Sequence, residues 1–293
     1  MRSEHVRPEP AHPHQASSGH VRSEHARPES ARPHQASSGQ VRTGPSRELG
    51  RVFDRVADAY DAGRPGYPDE LYHALSEVSG VPLDGATAVD VGAGTGRLAH
   101  ALRARGSRVV AVDPGAEMLA RLRAKGTAGV AAVRADGNAL PLAGRSADLV
   151  TYGQSWHWLD PVTSIGEARR VLRPGGAIAA CWNLAHAAQA EWLAAYEERL
   201  ARACPTYWGP ATEEWSVPPI AAAFEVVEER WIPWTRLVGI EDFLLDLRSH
   251  SYMAALSPEE ADALVERQRA ELTREFPEGV VSVPMRVYLA VGR

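Results

Sequence analysis

From Ser46 onward the apolar residues recur with two alternating periods. In RELGRVFDRVADAY, Leu49, Val52, Phe53, Val56 and Tyr60 fall at helical spacing, and the run GRPGYP from Gly63 to Pro68 stops that helix. DELYHALSEV predicts a second helix. Past the turn VPLDG, the run ATAVDV reads as a strand that ends in closely spaced glycines, and RLAHALRARG is a helix by composition. RVVAVDP, GVAAVRADG, ADLVTYG and AIAACWN predict further strands. Between them AEMLARLRAKG and PVTSIGEARRVLRPGG predict helices, the latter closed by its glycines. Short apolar strands alternating with helices at this spacing predict parallel strands covered on both faces, the doubly wound α/β class.

Beyond Asn183 the alternation breaks. AAQAEWLAAYEERLARA predicts a helix leading into PTYWGPATEEWSVPP, rich in Trp, Pro and Gly. FEVVEERWIPW and the terminal RVYLAVGR predict strands, with helical segments between them from Ile240 to Phe276. All eight tryptophans lie between Trp156 and Trp234, so large aromatic surface is concentrated in the later part of the chain. The expected division is 46–185 as the regularly alternating half and 186–293 as a cap that completes the sheet and covers its mouth.

Residues 1–45 have a different character. RSEHVRPEPAHPHQASSGH at 2–20 recurs as RSEHARPESARPHQASSGQ at 22–40, a tandem duplication without Leu, Ile, Phe, Tyr or Trp. Such a segment cannot bury enough apolar area to offset its ordering entropy, and it reads as a flexible tail. The whole chain of 293 residues is 44% apolar with a net charge of −5, which argues for a soluble globular protein and against nucleic acid as substrate. No apolar run is long enough to predict a membrane span, and no signal peptide is evident. Cys181 and Cys204 lack metal-ligand or disulfide spacing, which fits a reducing cytoplasm and predicts no metal site.

The chemistry is concentrated at D-V-G-A-G-T-G, Asp90 to Gly96, between a predicted strand and a helix. Glycines there let the turn bend tightly and let a ligand approach the backbone, while the helix start offers free N–H groups. A dinucleotide fingerprint requires its last glycine at position 97, which is Arg97; the form is instead G-x-G-x-G through Gly92, Gly94 and Gly96. Asp113, at the tip of the second strand, lies where a carboxylate can accept from both hydroxyls of a ribose. Asp90 and Asp136 have a simpler alternative as helix or turn caps.

VDVGAGTGRLAHAL, AVDP, RADGNALP, DLVTYGQSWHW and LRPGG, in this order, resemble class I S-adenosylmethionine-dependent methyltransferases over about residues 50–185. FDRVADAYDAGRPGYP and QSWHWLD are similar to small-molecule methyltransferases of the trans-aconitate methyltransferase-like group. The resemblance implies a seven-stranded, mostly parallel Rossmann-like sheet with a helical, Trp-rich cap. It also implies that Gly92, Gly94 and Gly96 pass beneath the methionine moiety and that Asp113 holds the ribose. Asp136, with Gly137 and Asn138, would meet the adenine amine, and Met118 would pack on the ring. Tyr60 and Arg64 would close over the methionine end, and Gln154 would line the transfer site. On the substrate side, Trp156, Trp158, Tyr207 and Tyr252 are candidate pocket walls, and Arg248, in LRSHSY beside His250 and Ser251, is a candidate carboxylate clamp. His157 could deprotonate a hydroxyl or donate a hydrogen bond to an acceptor oxygen. The expected reaction is methyl transfer to a small organic acceptor, most simply an oxygen of a specialised metabolite. The alternatives are a cofactor-binding regulator without turnover and an NAD(P)-dependent oxidoreductase, the latter disfavoured by Arg97.

Overall fold

A computed structural model describes residues 63–126, 128–207, 224 and 227–293. The described strands are β1 (Thr87–Val91), β2 (Arg108–Asp113), β3 (Val130–Arg134), β4 (Ala147–Gly153), β5 (Leu172–Ala185), β6 (Val227–Gly239) and β7 (Val280–Gly292). The described helices are α1 (Asp69–Ser79), α2 (Arg97–Ala104), α3 (Ala116–Ala124), α4 (Pro161–Val171), α5 (Glu191–Ala203), α6 (Ile240–Arg248) and α7 (Pro258–Glu275). The strands form one seven-stranded sheet in the order β3-β2-β1-β4-β5-β7-β6. Its first five strands are parallel, while β7 runs antiparallel to both β5 and β6. The order reverses between β1 and β4, the switch point where an open α/β sheet forms a crevice at its carboxyl edge.

Each central strand is apolar because both of its faces are covered. In β1 the alternation is direct: Ala88 packs beneath α1, α2 and α3, whereas Val89 and Val91 pack with Ile165, Ala168 and Val171 of α4 on the opposite face. A third cluster joins Leu193 and Leu200 of α5, Phe243 and Leu247 of α6, Leu264 and Leu272 of α7, and Val281 and Val283 of β7. The long β6–β7 pairing, from Val227↔Gly292 to Gly239↔Val280, thereby carries the cap helices on its far end. Helix α7 starts with a reciprocal capping box between Ser257 and Glu260.

The expected doubly wound class and nearly all expected elements are present. Several boundaries differ: β6 runs on past the predicted FEVVEERWIPW to Gly239, and β7 begins at Val280, ahead of the predicted RVYLAVGR. The segment LRPGG belongs to β5 and not to the preceding helix, which ends at Val171. Pro174 disfavours helical backbone at Arg173, and Ala147↔Leu172 followed by Leu149↔Ala177 marks an irregular start to the β4–β5 pairing. The predicted helix through Tyr60 and the duplicated tail lie outside the described residues. Among the described residues no helix is long and apolar enough to cross a membrane.

Candidate functional site

The turn after β1 bends through three glycines with left-handed backbone, Gly92 (φ 70°), Gly94 (φ 56°) and Gly96 (φ 87°). A Cβ at Gly92 would lie 2.4 Å from the Cβ of Ser155, so that position demands glycine for space as well as for conformation. Asp113 stands at the carboxyl end of β2 with its carboxylate oriented by the main chain: Gly94 N donates to Oδ2 at 2.8 Å and Gly115 N to Oδ1 at 2.7 Å. These two bonds hold both carboxylate oxygens in a fixed orientation at the strand tip.

Asp90 is 1% exposed. Its Oδ1 accepts from Thr151 Oγ1 at 3.1 Å, and its Oδ2 has no hydrogen-bond partner of good geometry among the described residues. Burial pushes its pKa up to about 7, against hydrogen bonds from Thr151 and from the Ala99 main chain, which pull it down. Arg64, Tyr67, Asp90, Gly92, Gly153 and Gln154 line one cleft above this turn. Four sequence candidates from three separate chain segments are thus brought together. Gln154 itself has a left-handed backbone (φ 55°), with its N–H donating to Cys181 O at 2.8 Å.

The neighbouring loops supply the other candidates. Asp136 Oδ1 accepts from Asn138 N at 2.9 Å and from Asn138 Nδ2 at 3.0 Å, while Asn138 Oδ1 accepts from Asp160 N at 3.0 Å. Asp136 is therefore a turn-forming residue that is also exposed at the end of β3. Gly137 is packed so closely that a Cβ would lie 2.6 Å from Val91 Cγ1. Met118 is buried on the first turns of α3.

His157 sits in the short 3-10 turn Trp156–Trp158 that follows β4. Trp182 Nε1 lies 3.2 Å from its Nδ1. An indole N–H can only donate, so Nδ1 is the accepting nitrogen and the hydrogen of the neutral ring is on Nε2. Burial, and secondly the charge of Arg64, hold the His157 pKa down at about 4. Trp158 packs against the ring with centroids 4.8 Å apart. Trp156 requires a correction: it is fully buried, stacked on Tyr152 at 5.1 Å, with its indole N–H donating to Ser164 Oγ at 2.8 Å. It is core and not a substrate wall. Trp156 and Trp158 have the same residue type two positions apart, and only the direction of the turn separates their fates.

On the cap side, Tyr207 and Tyr252 meet edge to face with centroids 4.9 Å apart, and His250 stacks on Tyr252. Arg248, the candidate carboxylate clamp, has a partner within the cap. Its guanidinium pairs with Asp262 of α7 at 2.8 Å, so it joins two cap helices. Two arginines, Arg64 and Arg97, line the cleft. Arg236, Asp246 and Asn183 were not among the sequence candidates, yet they tie the loop around Arg64 in place. Asn183 Nδ2 donates to Gly66 O at 2.9 Å, and Trp234 Nε1 donates to Asn183 Oδ1 at 3.0 Å. Thr151 and Ser155 were likewise missed. The available signal was their position at the carboxyl end of β4, beside the switch point.

Residues 89–180 match the family model described as a methyltransferase domain. An uncharacterized methyltransferase of Mycobacterium tuberculosis is 42% identical over 137 residues, 47% of this chain and 54% of that protein. A malonyl-[acyl-carrier protein] O-methyltransferase of Hahella chejuensis is 38% identical over 136 residues, 44% of this chain and 47% of that protein. The chain thus spans about half the length of these curated relatives. Among solved structures, one described as a type II methyltransferase from Anaeromyxobacter dehalogenans superposes with a TM-score of 0.60 at 25% identity, covering 78% of this chain and 97% of that one. Together with the strand order, these likenesses show that the chain carries a methyltransferase domain in a Rossmann-like methyltransferase fold.

Proposed function

We propose that this chain transfers the methyl group of S-adenosylmethionine to an oxygen of a small organic acceptor. The observation that carries this reading is the edge of β1 and β2: three left-handed glycines, an oriented Asp113 carboxylate at the tip of β2, and the buried Asp90, which lines the cleft together with Gly92. These residues fit the cofactor. A carboxylate at the tip of β2 is the chemistry that the two hydroxyls of a sugar diol require, and the Asp90 oxygen matches the ammonium group of an amino acid. Asp136, Gly137 and Asn138 stand on the loop after β3, and Met118 on the first turns of α3 after β2, where an adenine ring would extend. Arg64 and Gln154 cover the amino-acid end, and by resemblance Tyr60 joins them.

When bound, the cofactor supplies a methyl group already activated by its sulfonium sulfur. The chain's own task is then to hold the acceptor in line and to exclude water. In this reading His157 donates a hydrogen bond from Nε2 to the acceptor and does not abstract a proton, because a ring held neutral with so low a pKa is a weak base. That favours an acceptor oxygen which arrives ionised, a carboxylate, over a hydroxyl. The O-methyltransferase named above supports oxygen as the acceptor atom. Trp158, Tyr207 and Tyr252 remain the proposed apolar contacts of the acceptor.

Calorimetry with S-adenosylhomocysteine, followed by labelled-methyl transfer across carboxylic acids and their hydroxyl analogues, tests the reading. We expect micromolar binding and label in methyl esters. Binding without label in any product would favour a protein that only senses the cofactor, and tight NAD binding in its place would overturn the cofactor assignment.

A further inference from the structure

The loop Gly63–Pro68 lies against the end of α6, although the two are far apart in sequence. Arg64 Nε donates to Ser249 Oγ at 3.0 Å and lies 3.4 Å from Asp246 Oδ1, while its Nη2 is 3.1 Å from His250 Nδ1. The other oxygen of Asp246 accepts from Arg236 Nη1 at 2.6 Å, and Arg236 Nη2 donates to Gly63 O at 2.7 Å. Asp246 therefore reaches Arg64 directly and the carbonyl of Gly63 through Arg236. The backbone approach is equally close: a Cβ on Gly63 would lie 2.6 Å from Asp246 N.

We propose that the end of α6 is a positioning device for the cofactor cleft, in which Asp246, aided by Ser249 and His250, presents the Arg64 guanidinium to the amino-acid end of the ligand. This rests on the cofactor reading above. The Arg64, Arg236 and Asp246 side chains are 14%, 11% and 12% exposed, so the charges act on one another with little screening by water. The hydrogen-bond roles are also determined. A guanidinium only donates, so His250 accepts at Nδ1 and turns its Nε2 toward Asp246 Oδ1, 3.6 Å away. Burial, then Arg64 and Arg236, keep that ring neutral by holding its pKa well below the ordinary value. Ser249 Oγ donates to Asp246 O at 2.7 Å, which leaves its lone pairs for Arg64. An arginine free in solvent samples many rotamers; one fixed by three partners meets a carboxylate without that ordering loss.

The test compares S-adenosylhomocysteine with 5′-methylthioadenosine, which lacks the amino-acid moiety, by calorimetry on Asp246→Asn, Arg64→Gln and the double variant. For Asp246→Asn we expect affinity for S-adenosylhomocysteine to fall on the order of tenfold, as for a lost charge-assisted hydrogen bond, with methylthioadenosine unchanged. In the Arg64→Gln background the same substitution should have no further effect. Unchanged affinity, equal losses for both ligands, or additive losses in the double variant would overturn the proposal. If Asp246→Asn does not fold, Ser249→Ala is measured in the same way. A several-fold loss for S-adenosylhomocysteine alone supports the device, and no loss overturns it. Failure of the unmodified protein to bind S-adenosylhomocysteine refutes the cofactor reading instead. Hydrogen exchange of the peptide containing Gly63–Tyr67 then decides the positioning claim separately: faster exchange in Asp246→Asn supports it, and unchanged exchange sinks it.

Discussion

Asp90→Asn should stabilise the unliganded protein at neutral and alkaline pH while removing cofactor affinity. The Asp90 carboxyl is 1% exposed, and its pKa rises from 3.8 to about 7. At about 1.4 kcal/mol per pH unit, ionising it inside the fold costs roughly 4 kcal/mol in full, an upper figure because a buried site relaxes. The sign follows from the raised folded-state value. This contribution to stability is fully present below 3.8, where both states are protonated, and is lost as the pH rises through about 7. Asparagine keeps the shape and cannot ionise, so its advantage over the natural residue should grow across that window, less about 1 kcal/mol for a weakened Thr151 bond. Urea unfolding of both proteins at several pH values reads the difference, and calorimetry reads the ligand. A ligand ammonium group needs the ionised carboxylate, so affinity of the natural protein should decline as the pH falls below about 7. A stability gap that stays flat with pH, or that favours aspartate at high pH, would refute the reasoning.

Other expectations follow from single positions. Asp113→Ala should lower S-adenosylhomocysteine affinity on the order of a hundredfold by removing two charge-assisted bonds, and retained affinity in calorimetry would contradict its role. His157→Gln keeps an amide donor but cannot act as a base, so it should retain much more kcat on carboxylate acceptors than His157→Ala; equal losses in initial-rate assays would count against the donor role. Trp156→Phe should cost about 2 kcal/mol of stability, from the lost Ser164 bond and lost volume, with cofactor affinity unchanged. Gly92→Ala should destabilise by about 2 kcal/mol or more, because its left-handed backbone alone costs roughly 1–2 kcal/mol and its new methyl would meet Ser155; an unchanged denaturation midpoint would argue that this turn is not built as described.

Much of the architecture was readable because its information is local. Apolar runs such as RVVAVD and helical spacing such as that of AEMLARLRA determine backbone conformation and the buried faces over a few residues. The glycine turn and Asp113 were legible for the same reason: positive φ excludes most side chains, and a strand tip lies at the crevice wherever strands run parallel. The LRPGG segment shows where local pattern fails, since a proline and two glycines close a helix as readily as they open an irregular strand.

The amino-acid order by itself thus determined the alternating class, the left-handed turn and the carboxylate one strand away. Folding alone decided which similar residues serve the cleft. Arg248 and Arg64 are both arginines near candidate segments, but one pairs with Asp262 and the other lies over the crevice. Trp156 turned inward and Trp158 stayed beside His157. The proton affinities of Asp90 and His157 likewise depend on burial and on charges brought near by distant parts of the chain. Conformation is set by neighbours along the backbone, whereas burial, partners and charge state are set by neighbours in space, and these come from segments such as Gly63–Arg64 and Asp246–His250 that the order of residues does not reveal as adjacent.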